Sequence, residues 1–534
     1  MANINRRIFL KNTSLLTSGI VATSLLKIPG FAAQGFNNDS PVASTKYGQV
    51  RGYVDNGIQV FRGIPYGADT AARRFQSPLP PLPWTGIRNA IEYGASAPQS
   101  SGAPDNMSED CLMLNVFTPA LNDRKKRPVM FYIHGGAYSG GSGSSPLYDG
   151  VHLCKRGDVV VVSVNHRLNA FGYLYLAPFN ETEFADSGNV GQLDLVLALN
   201  WVKENIRAFG GDPGCVMVFG QSGGGAKIAT MMAMPAAKGL FHRAATMSGQ
   251  QVTASGPLNA ALRTRTILDA LKISPENVLD IQKIPIEKIV EALKTRDPVL
   301  PFGGVYFGPV LDQRCLNRHP FYPNAPEQSA SIPMMIGNTH DETRAFLGGD
   351  PTNYTITWDQ LPAKLIPNLR VDIKPEFVVD AYRKIYPTLS PSDLFFRITT
   401  ASRSWRGAVI EAEERARSGT GAYVYQLDWA TPKDGGKSGA PHASDIQLVF
   451  DNIDKPGATA IGADAQKMAD MMSETFIAFA RTGDPNNKMI PRWQKYSLEK
   501  RETMVWNVPP KLENDPRGAE RKIFEKVPYV QAGS

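Results

Sequence analysis

The chain has 534 residues, of which 42% are hydrophobic and 20% charged, so it is long and apolar enough to bury a large core. Its formal charge is +7, but the only tight basic run, residues 124–127, follows a turn-like segment. A nucleic-acid interface would instead cluster Lys and Arg side chains in a patch or stripe, so we expect no nucleic-acid partner.

The first 33 residues are typical of an export signal. Residues 5–11, NRRIFLK, are similar to the bacterial twin-arginine motif, and the apolar stretch over residues 14–26 is too short to span a bilayer. Gly30, Ala32 and Ala33 suit cleavage, whereas an amphipathic helix is the alternative. We predict a twin-arginine-type signal peptide over residues 1–33, a periplasmic or secreted product, and no stable membrane insertion after its removal.

Short apolar runs then alternate with stretches of helical spacing. The pattern predicts strands over residues 127–134, 158–165, 215–220, 332–337 and 422–427, and helices over residues 193–209 and 226–234. This alternation indicates an α/β fold with a mostly parallel sheet. Residues 250–330 and 345–415 look like helical insertions over the sheet edge, and no linker divides the chain, so we predict one domain over residues 41–530.

The four cysteines show no functional spacing. They match neither a zinc ribbon nor a Cys-x-x-Cys redox pair. Cys154 and Cys215 lie beside strand-like runs, and we expect both to be small buried apolar residues.

The first glycine-rich motif along the chain is HGGAY, residues 134–138, at the end of a predicted strand. A His-Gly-Gly loop of this type completes the oxyanion hole of many α/β-hydrolases. Gly135 and Gly136 let the backbone come close and aim two N–H groups inward. A simple glycine-rich turn is the alternative.

The nucleophile is predicted from residues 220–224, GQSGG, which lie between a predicted strand and a predicted helix. That context is typical of the Gly-x-Ser-x-Gly elbow, in which a tight turn presents Ser222 above the sheet and the N–H of Gly223 becomes a third oxyanion donor. A phosphate-binding loop is disfavoured because it ends in Gly-Lys-Ser/Thr, whereas Ala226 follows Gly225 here.

The base and the acid should follow the serine, in the order Ser, acid, His. Among the seven histidines, elimination by position favours His442, which lies in a loop past the later strands. Asp341 and Glu342 follow the strand predicted over residues 332–337. Adjacent side chains point in different directions, so only one can face the histidine, and composition does not choose between them.

Longer motifs make the chain resemble the type-B carboxylesterase family, which includes the cholinesterases. The similarity extends over most of the chain through residues 61–66 (FRGIPY), 109–119 (EDCLMLNVFTP), 165–172 (NHRLNAFG), 188–194 (GNVGQLD) and 209–224 (FGGDPGCVMVFGQSGG). It implies the α/β-hydrolase fold, selects Glu342 as the acid and His442 as the base, and implies a supporting role for Ser248. It also implies ion pairs Arg74–Glu109 and Arg167–Asp194.

Several positions depart from the family pattern. Gln221 stands where many members have Glu, Gly223 replaces the usual Ala, Thr343 replaces a common Gly, and Asp445 stands where Glu is frequent. The loss of a negative charge at residue 221 argues against a cholinesterase-like affinity for cations. The family's disulfide partner of Cys111 corresponds to Ala97, so we expect Cys111 to be unpaired.

These inferences predict a serine carboxylesterase that hydrolyses a small-molecule ester through an acyl-enzyme. The catalytic residues are Ser222, Glu342 and His442; no metal or cofactor is required. An amidase or acyltransferase with the same triad, or a non-catalytic binding module of the same fold, is the alternative. The cavity lining is expected to include four aromatic residues, Tyr138, Phe302, Tyr306 and Phe307. Acyl and alcohol preferences and the oligomeric state are left open.

Overall fold

The computed structural model describes residues 40–100, 106–300, 303–529, 531 and 533. The signal peptide predicted over residues 1–33 lies outside them. Residues Pro41–Ser534 group into one compact unit. None of the described helices combines the length and apolarity needed to cross a membrane.

Fourteen strands occur in the described residues, and eleven of them form one large sheet. They are β1 Val42–Ser44, β2 Gln49–Arg51, β3 Tyr53–Asp55, β4 Ile58–Pro65, β5 Ile87–Asn89, β6 Met113–Thr118, β7 Arg127–Ile133, β8 Val160–Val164, β9 Gly211–Gln221, β10 Arg243–Met247, β11 Met334–Thr339, β12 Tyr423–Leu427, β13 Glu502–Trp506 and β14 Lys511–Asn514.

The large sheet has the order β14-β13-β12-β11-β10-β9-β7-β8-β6-β4-β3. Adjacent strands are parallel from the β8–β7 pair along the sheet to the β12–β13 pair. The pairs nearer the two edges, β13–β14 on one side and β8–β6, β6–β4 and β4–β3 on the other, are antiparallel. The predicted, mostly parallel sheet is therefore confirmed. All five predicted strands are present with shifted ends, whereas β13 and the edge strand β14 are not among the predicted elements.

Helices cover both faces of the sheet and the edge above it. They are α1 Val151–Gly157, α2 Asn169–Tyr173, α3 Glu181–Phe184, α4 Val190–Asn205, α5 Gly223–Met231, α6 Pro257–Leu271, α7 Ile286–Ala292, α8 Arg344–Leu347, α9 Leu361–Leu365, α10 Pro375–Ile385, α11 Pro391–Thr400, α12 Arg406–Arg417, α13 Ser444–Val449, α14 Ala465–Thr482 and α15 Gly518–Phe524. A π-helical turn, Ala401–Trp405, joins α11 to α12.

The central strands are buried on both faces, which explains their continuous apolar sequences. Along β7, for example, Phe131 and Ile133 pack into the core on one face, and Met130 and Tyr132 pack into the core on the other. Alternation of side chains along a strand therefore supplies both cores from one short segment.

Both predicted insertions are helical. The first contains α6 and α7, and the second runs from α8 to α12. The second has an apolar core of its own, in which Leu361, Val378 and Leu394 pack with Phe524 of α15. Because the second insertion has its own core, its helices hold the side chains that they present in fixed positions.

Two ion pairs implied by the family resemblance are present. Arg74 bonds Glu109 through two nitrogens, at 2.7 and 2.5 Å, and the Arg167 guanidinium bonds both oxygens of Asp194. Bidentate geometry of this kind fixes the loops that carry the two arginines.

The cysteines are free thiols. Three of them are buried, and Cys215 is only half buried, which differs from the expectation for that residue. The half exposure arises because Cys215 lies in the early part of β9, before its fully buried residues begin.

Candidate active site

Ser222 lies on the turn between β9 and α5. Its φ of 56° and ψ of −124° are a conformation that residues with a side chain rarely adopt. The N–H of Ser222 donates to the Met247 carbonyl at 2.7 Å, which ties the turn to the neighbouring strand β10. Strain of this kind concentrates at functional sites, and it persists here because the surrounding strands hold the turn in place.

The glycines around Ser222 are required by close packing against the end of β7. A Cβ atom at Gly224 would overlap the Ile133 carbonyl, and one at Gly220 would lie 2.7 Å from the same oxygen. Both positions therefore exclude any side chain. The glycine pattern read from the sequence has a steric cause, as the elbow interpretation predicts.

His442 lies in the loop between β12 and α13, and Glu342 lies in the turn after β11. The Nδ1 of His442 and the Oε2 of Glu342 form a hydrogen bond. The other carboxylate oxygen of Glu342 accepts from the Thr339 N–H at 3.0 Å and from the Asn338 side chain at 3.2 Å. The carboxylate is fully buried, so these bonds fix both its position and the orientation of the imidazole.

The charge of Glu342 is stabilised by its neighbours. Burial alone would raise the pKa of this carboxyl, but the charge and hydrogen bond of His442, followed by Ser248 and the Thr339 N–H, outweigh burial and lower the pKa. Ser248 is buried beside the carboxylate, although its hydroxyl has no hydrogen-bond partner among the residues that the structure describes. Glu342 is therefore ionised at neutral pH.

Asp341 faces away from His442 and holds the histidine loop instead. Its Oδ2 accepts from the Ala440 N–H at 3.1 Å. Burial would raise the pKa of Asp341, but the bonds and charges of His340, Ala440 and Arg344 lower it to about 2. The two adjacent carboxylates thus have different places in the structure, one against the imidazole and one against the loop backbone.

The second imidazole nitrogen of His442 is occupied by a neighbour of the serine. His442 Nε2 lies 3.0 Å from Nε2 of Gln221, so the amide donates to the imidazole. Ser222 and His442 line the same cavity of about 140 Å³, yet among the described residues no hydrogen bond joins them. Hydrogen bonds of catalytic groups are often long or absent before substrate binds.

Three backbone amides surround the serine. The predicted donors Gly135, Gly136 and Gly223 lie at the end of β7 and at the start of α5, and within the described part of the chain no carbonyl accepts from their N–H groups. A Cβ atom at Gly135 would lie 3.3 Å from the Cβ of Ser222, which shows how closely this loop approaches the turn. These free donors suit a developing negative charge beside Ser222.

The loop that carries these glycines is held by a buried lysine that the sequence analysis did not assign to the site. Lys227 of α5 is fully buried, and its Nζ donates to the Ala137 carbonyl at 2.7 Å and lies 5.2 Å from the centre of the Tyr138 ring. Burial lowers the pKa of Lys227 to about 7. A single charged residue in the apolar segment 226–234 is the sequence signal that could have identified it.

The histidines nearest to Lys227 are neutral. Burial, followed by the charge of Lys227, lowers the pKa of His134 to about 3, and the same causes lower the pKa of His166. Their rings are stacked with centres 4.8 Å apart. Neither ring therefore adds charge beside the glycine loop.

The predicted aromatic lining is present in part. Tyr138 and Tyr306 line the cavity with Ser222. Phe307 is buried instead, because it belongs to an apolar cluster that includes Ile267 and Ile289 of the first insertion. Phe302 lies outside the described residues.

Comparison with known proteins gives a consistent result. A model of the carboxylesterase family matches residues 39–524. The chain is 36% identical to the para-nitrobenzyl esterase of Bacillus subtilis (strain 168), over 90% of this chain and 98% of that protein. It is 31% identical to the phenmedipham hydrolase of Pseudarthrobacter oxydans, over 86% and 93% of the two chains.

Solved structures show the same relationship. The Geobacillus stearothermophilus carboxylesterase EST55 superimposes with a TM-score of 0.80 and 37% identity, covering 90% of this chain and 99% of that one. A structure described as a PNB esterase gives a TM-score of 0.77 at 34% identity, with coverage of 90% and 99%. The α/β-hydrolase fold expected from the sequence is thereby confirmed.

Proposed function

The chain belongs to the carboxylesterase family and is a carboxylic ester hydrolase, and from this premise we propose that Ser222, His442 and Glu342 carry out the reaction through an acyl-enzyme. The observation that carries the proposal is that His442, which is hydrogen-bonded to the buried Glu342, lines the same cavity as the strained Ser222. A serine hydroxyl needs such a base, and the base needs a third group to orient it.

In the first step the Ser222 oxygen attacks the ester carbonyl carbon and its proton passes to Nε2 of His442. Glu342 keeps the Nδ1 proton in place and stabilises the imidazolium. The amide of Gln221 must first leave Nε2, because that lone pair takes the serine proton. A rotation of the Gln221 side chain is sufficient for this, since its backbone stays in β9.

The carbonyl oxygen becomes negatively charged in the tetrahedral intermediate. In this proposal the N–H groups of Gly135, Gly136 and Gly223 donate to it, and the amino end of α5 adds partial positive charge. Loss of one such donor typically lowers kcat by about 10²–10³-fold. Ser248 supports the charged form of Glu342 during this step.

The intermediate then collapses as the C–O bond to the alcohol breaks, and the alcohol oxygen takes the proton from His442. Water attacks the acyl-serine in the second half of the reaction, gives a proton to His442, and releases the acid as that proton returns to Ser222. His442 takes a proton first from Ser222 and then from water, and it gives these protons to the alcohol and to Ser222, so the enzyme is unchanged at the end of the cycle.

The test is trapping of the acyl-enzyme by mass spectrometry. With a slowly deacylating ester, p-nitrophenyl trimethylacetate, we expect wild type to gain the mass of the acyl group on the peptide that contains Ser222. Ser222→Ala should gain none and lose about 10⁴-fold or more in kcat. Ser44→Ala, at an exposed serine, is the matched control. Full turnover by Ser222→Ala would contradict the proposal.

An amide-hydrolysing or acyl-transferring reaction would use the same residues. Turnover of a matched p-nitrophenyl ester and p-nitroanilide separates ester from amide preference. Added alcohol acceptors, followed by product chromatography, separate hydrolysis from transfer.

We further propose that residues 1–33 direct twin-arginine export of the folded enzyme to the periplasm or beyond it. What supports this is the sequence of residues 5–11, with Arg6 and Arg7 ahead of the apolar stretch. Small-molecule esters are the expected partners in that compartment.

A further inference from the structure

The cavity above Ser222 contains two arginines that the reaction itself does not require. Arg370 lies in the loop after α9, and Arg403 lies in the π-helical turn between α11 and α12. Both belong to the second insertion and both are half buried. π-Helical turns occur frequently at functional sites, and this one places Arg403 at the cavity wall.

Arg403 is held without an acidic partner. None of the ion pairs among the described residues includes it, and its guanidinium lies 4.5 Å from the centre of the Phe346 ring. The Phe346 ring in turn lies 4.8 Å from that of His442, so Arg403 is on the same side of the cavity as the base. Contact with the face of an aromatic ring positions a guanidinium but leaves its N–H donors, which point outward in the guanidinium plane, available.

The charge of the cavity is positive. No Asp or Glu is among the described residues that line it. The nearby Glu342 is committed to His442, and burial raises the pKa of Glu411 to about 8, which leaves that carboxyl mostly neutral at pH 7. Arg370 and Arg403 both line this cavity. Burial and then the charge of Arg370 lower the pKa of Arg403, whereas the charge of Glu342 raises it.

We propose that the ester substrate carries a carboxylate group and that Arg403, with Arg370, binds this group while Ser222 attacks the ester. The proposal rests on the proposed function, since it places the reacting ester in the same cavity. A carboxylate matches the planar guanidinium donors, and burial in a small cavity strengthens the attraction. The hydroxyl of Tyr306, which also lines the cavity, supplies a further donor, whereas the hydroxyl of Tyr529 donates to the Arg403 carbonyl at 3.1 Å and holds the π-helical turn.

The test compares matched neutral and anionic esters. Phenyl butyrate and 4-carboxyphenyl butyrate differ by a carboxylate on the alcohol side, and benzyl pentanoate and monobenzyl glutarate differ by one on the acyl side. Release of the phenol or benzyl alcohol is measured by chromatography. We expect kcat/KM of wild type to be at least about tenfold higher for the anionic ester in one pair, and that pair identifies the side that carries the charge.

Substitution of the arginine should remove this preference. In Arg403→Gln the ratio of anionic to neutral kcat/KM should fall about 10- to 100-fold, and Arg403→Lys should retain part of the ratio. Arg383→Gln, at an exposed arginine of the same insertion, should leave the ratio unchanged. Inhibition of neutral-ester hydrolysis by free glutarate gives a second reading, expected in wild type and lost in Arg403→Gln.

Equal or lower kcat/KM for the anionic ester in both pairs, together with no inhibition by glutarate, would overturn the proposal. An unchanged ratio in a folded Arg403→Gln would do the same. Failure of the proposed function is recognised separately, because Ser222→Ala would then still hydrolyse the neutral esters. The melting temperature of each variant shows whether it has folded.

Discussion

Lys227→Met replaces a buried ammonium with an apolar side chain of similar length, and we expect it to stabilise the fold while slowing ester hydrolysis. Lys227 is fully buried, and its hydrogen-bond acceptor is the Ala137 carbonyl at 2.7 Å. Burial of a charge without a carboxylate partner is unfavourable, and the pKa of this lysine is lowered from 10.5 to about 7 as a result.

The magnitude follows from the pKa. A difference of about 3.5 pH units at 1.36 kcal/mol each means that burial of the ammonium destabilises the folded state by about 5 kcal/mol. Loss of the donor to the Ala137 carbonyl offsets about 1–3 kcal/mol of the gain. Lys227→Met should therefore raise the free energy of unfolding by about 2–4 kcal/mol below pH 7.

The gain must depend on pH. Between pH 7 and 10.5 the unfolded chain keeps the proton on this lysine and the folded chain has released it, so the stability of wild type rises with pH. The advantage of Lys227→Met is consequently complete below pH 7 and decreases toward pH 10.5. Hydrolysis should slow about tenfold, because the Ala137 carbonyl is no longer held and the neighbouring N–H groups that we propose as oxyanion donors lose their position.

The assay is urea unfolding followed by tryptophan fluorescence at pH 6, 7.5 and 9, with kcat/KM for p-nitrophenyl acetate measured on the same preparations. Lys495→Met, at an exposed lysine, is the control and should change neither quantity. The reasoning is refuted if Lys227→Met is less stable than wild type at pH 6, or if its advantage is the same at pH 6 and pH 9.

Three further results are expected. Burial raises the pKa of Glu411 from 4.5 to about 8, so between these pH values the folded state holds a proton that the unfolded state has released, and the stability of wild type falls as pH rises. In urea unfolding, Glu411→Gln should be more stable than wild type by a difference that grows from pH 5 to pH 8 toward about 5 kcal/mol, and a difference independent of pH would contradict this. Gly223→Ala should lower kcat/KM at least about tenfold in steady-state assays, because its Cβ would overlap the Ala137 carbonyl; an active enzyme with wild-type kinetics would show that the loop moves freely. Replacement of Arg6 and Arg7 by Lys should leave precursor in the cytoplasm on fractionation, and unchanged secretion would exclude twin-arginine export.

The parts of the fold that the sequence predicts are those set by local rules. The strand, turn and helix around Ser222 occupy about twenty consecutive residues, in which β-branched runs and required glycines suffice to place the elbow. The insertions are predicted to be helical because their apolar residues recur at helical spacing. Strand β13 has five residues, one of them charged, and the edge strand β14 has four residues, two of them charged, so no such local pattern marks them.

The relations inside the site depend on contacts between distant segments. Gln221 and His442 are separated by 221 residues, and nothing in either segment indicates that the amide would occupy the imidazole. Likewise, Asp341 and Glu342 are distinguished only by the direction that the turn after β11 gives each side chain. Arg403 reaches the cavity through a π-helical turn, which no propensity in its sequence predicts.

Gly223 and Lys227 are best understood as a matched pair. Lys227 holds the Ala137 carbonyl at 2.7 Å, and in that position the same carbonyl leaves no room for a Cβ atom at Gly223. The alanine that the family usually has at this position is therefore incompatible with the loop as Lys227 holds it. The buried ammonium lowers stability, but it holds the loop that carries the proposed oxyanion donors. The absence of a side chain at Gly223 thus fits the position in which Lys227 holds the Ala137 carbonyl, and both residues serve to position the glycine loop against Ser222.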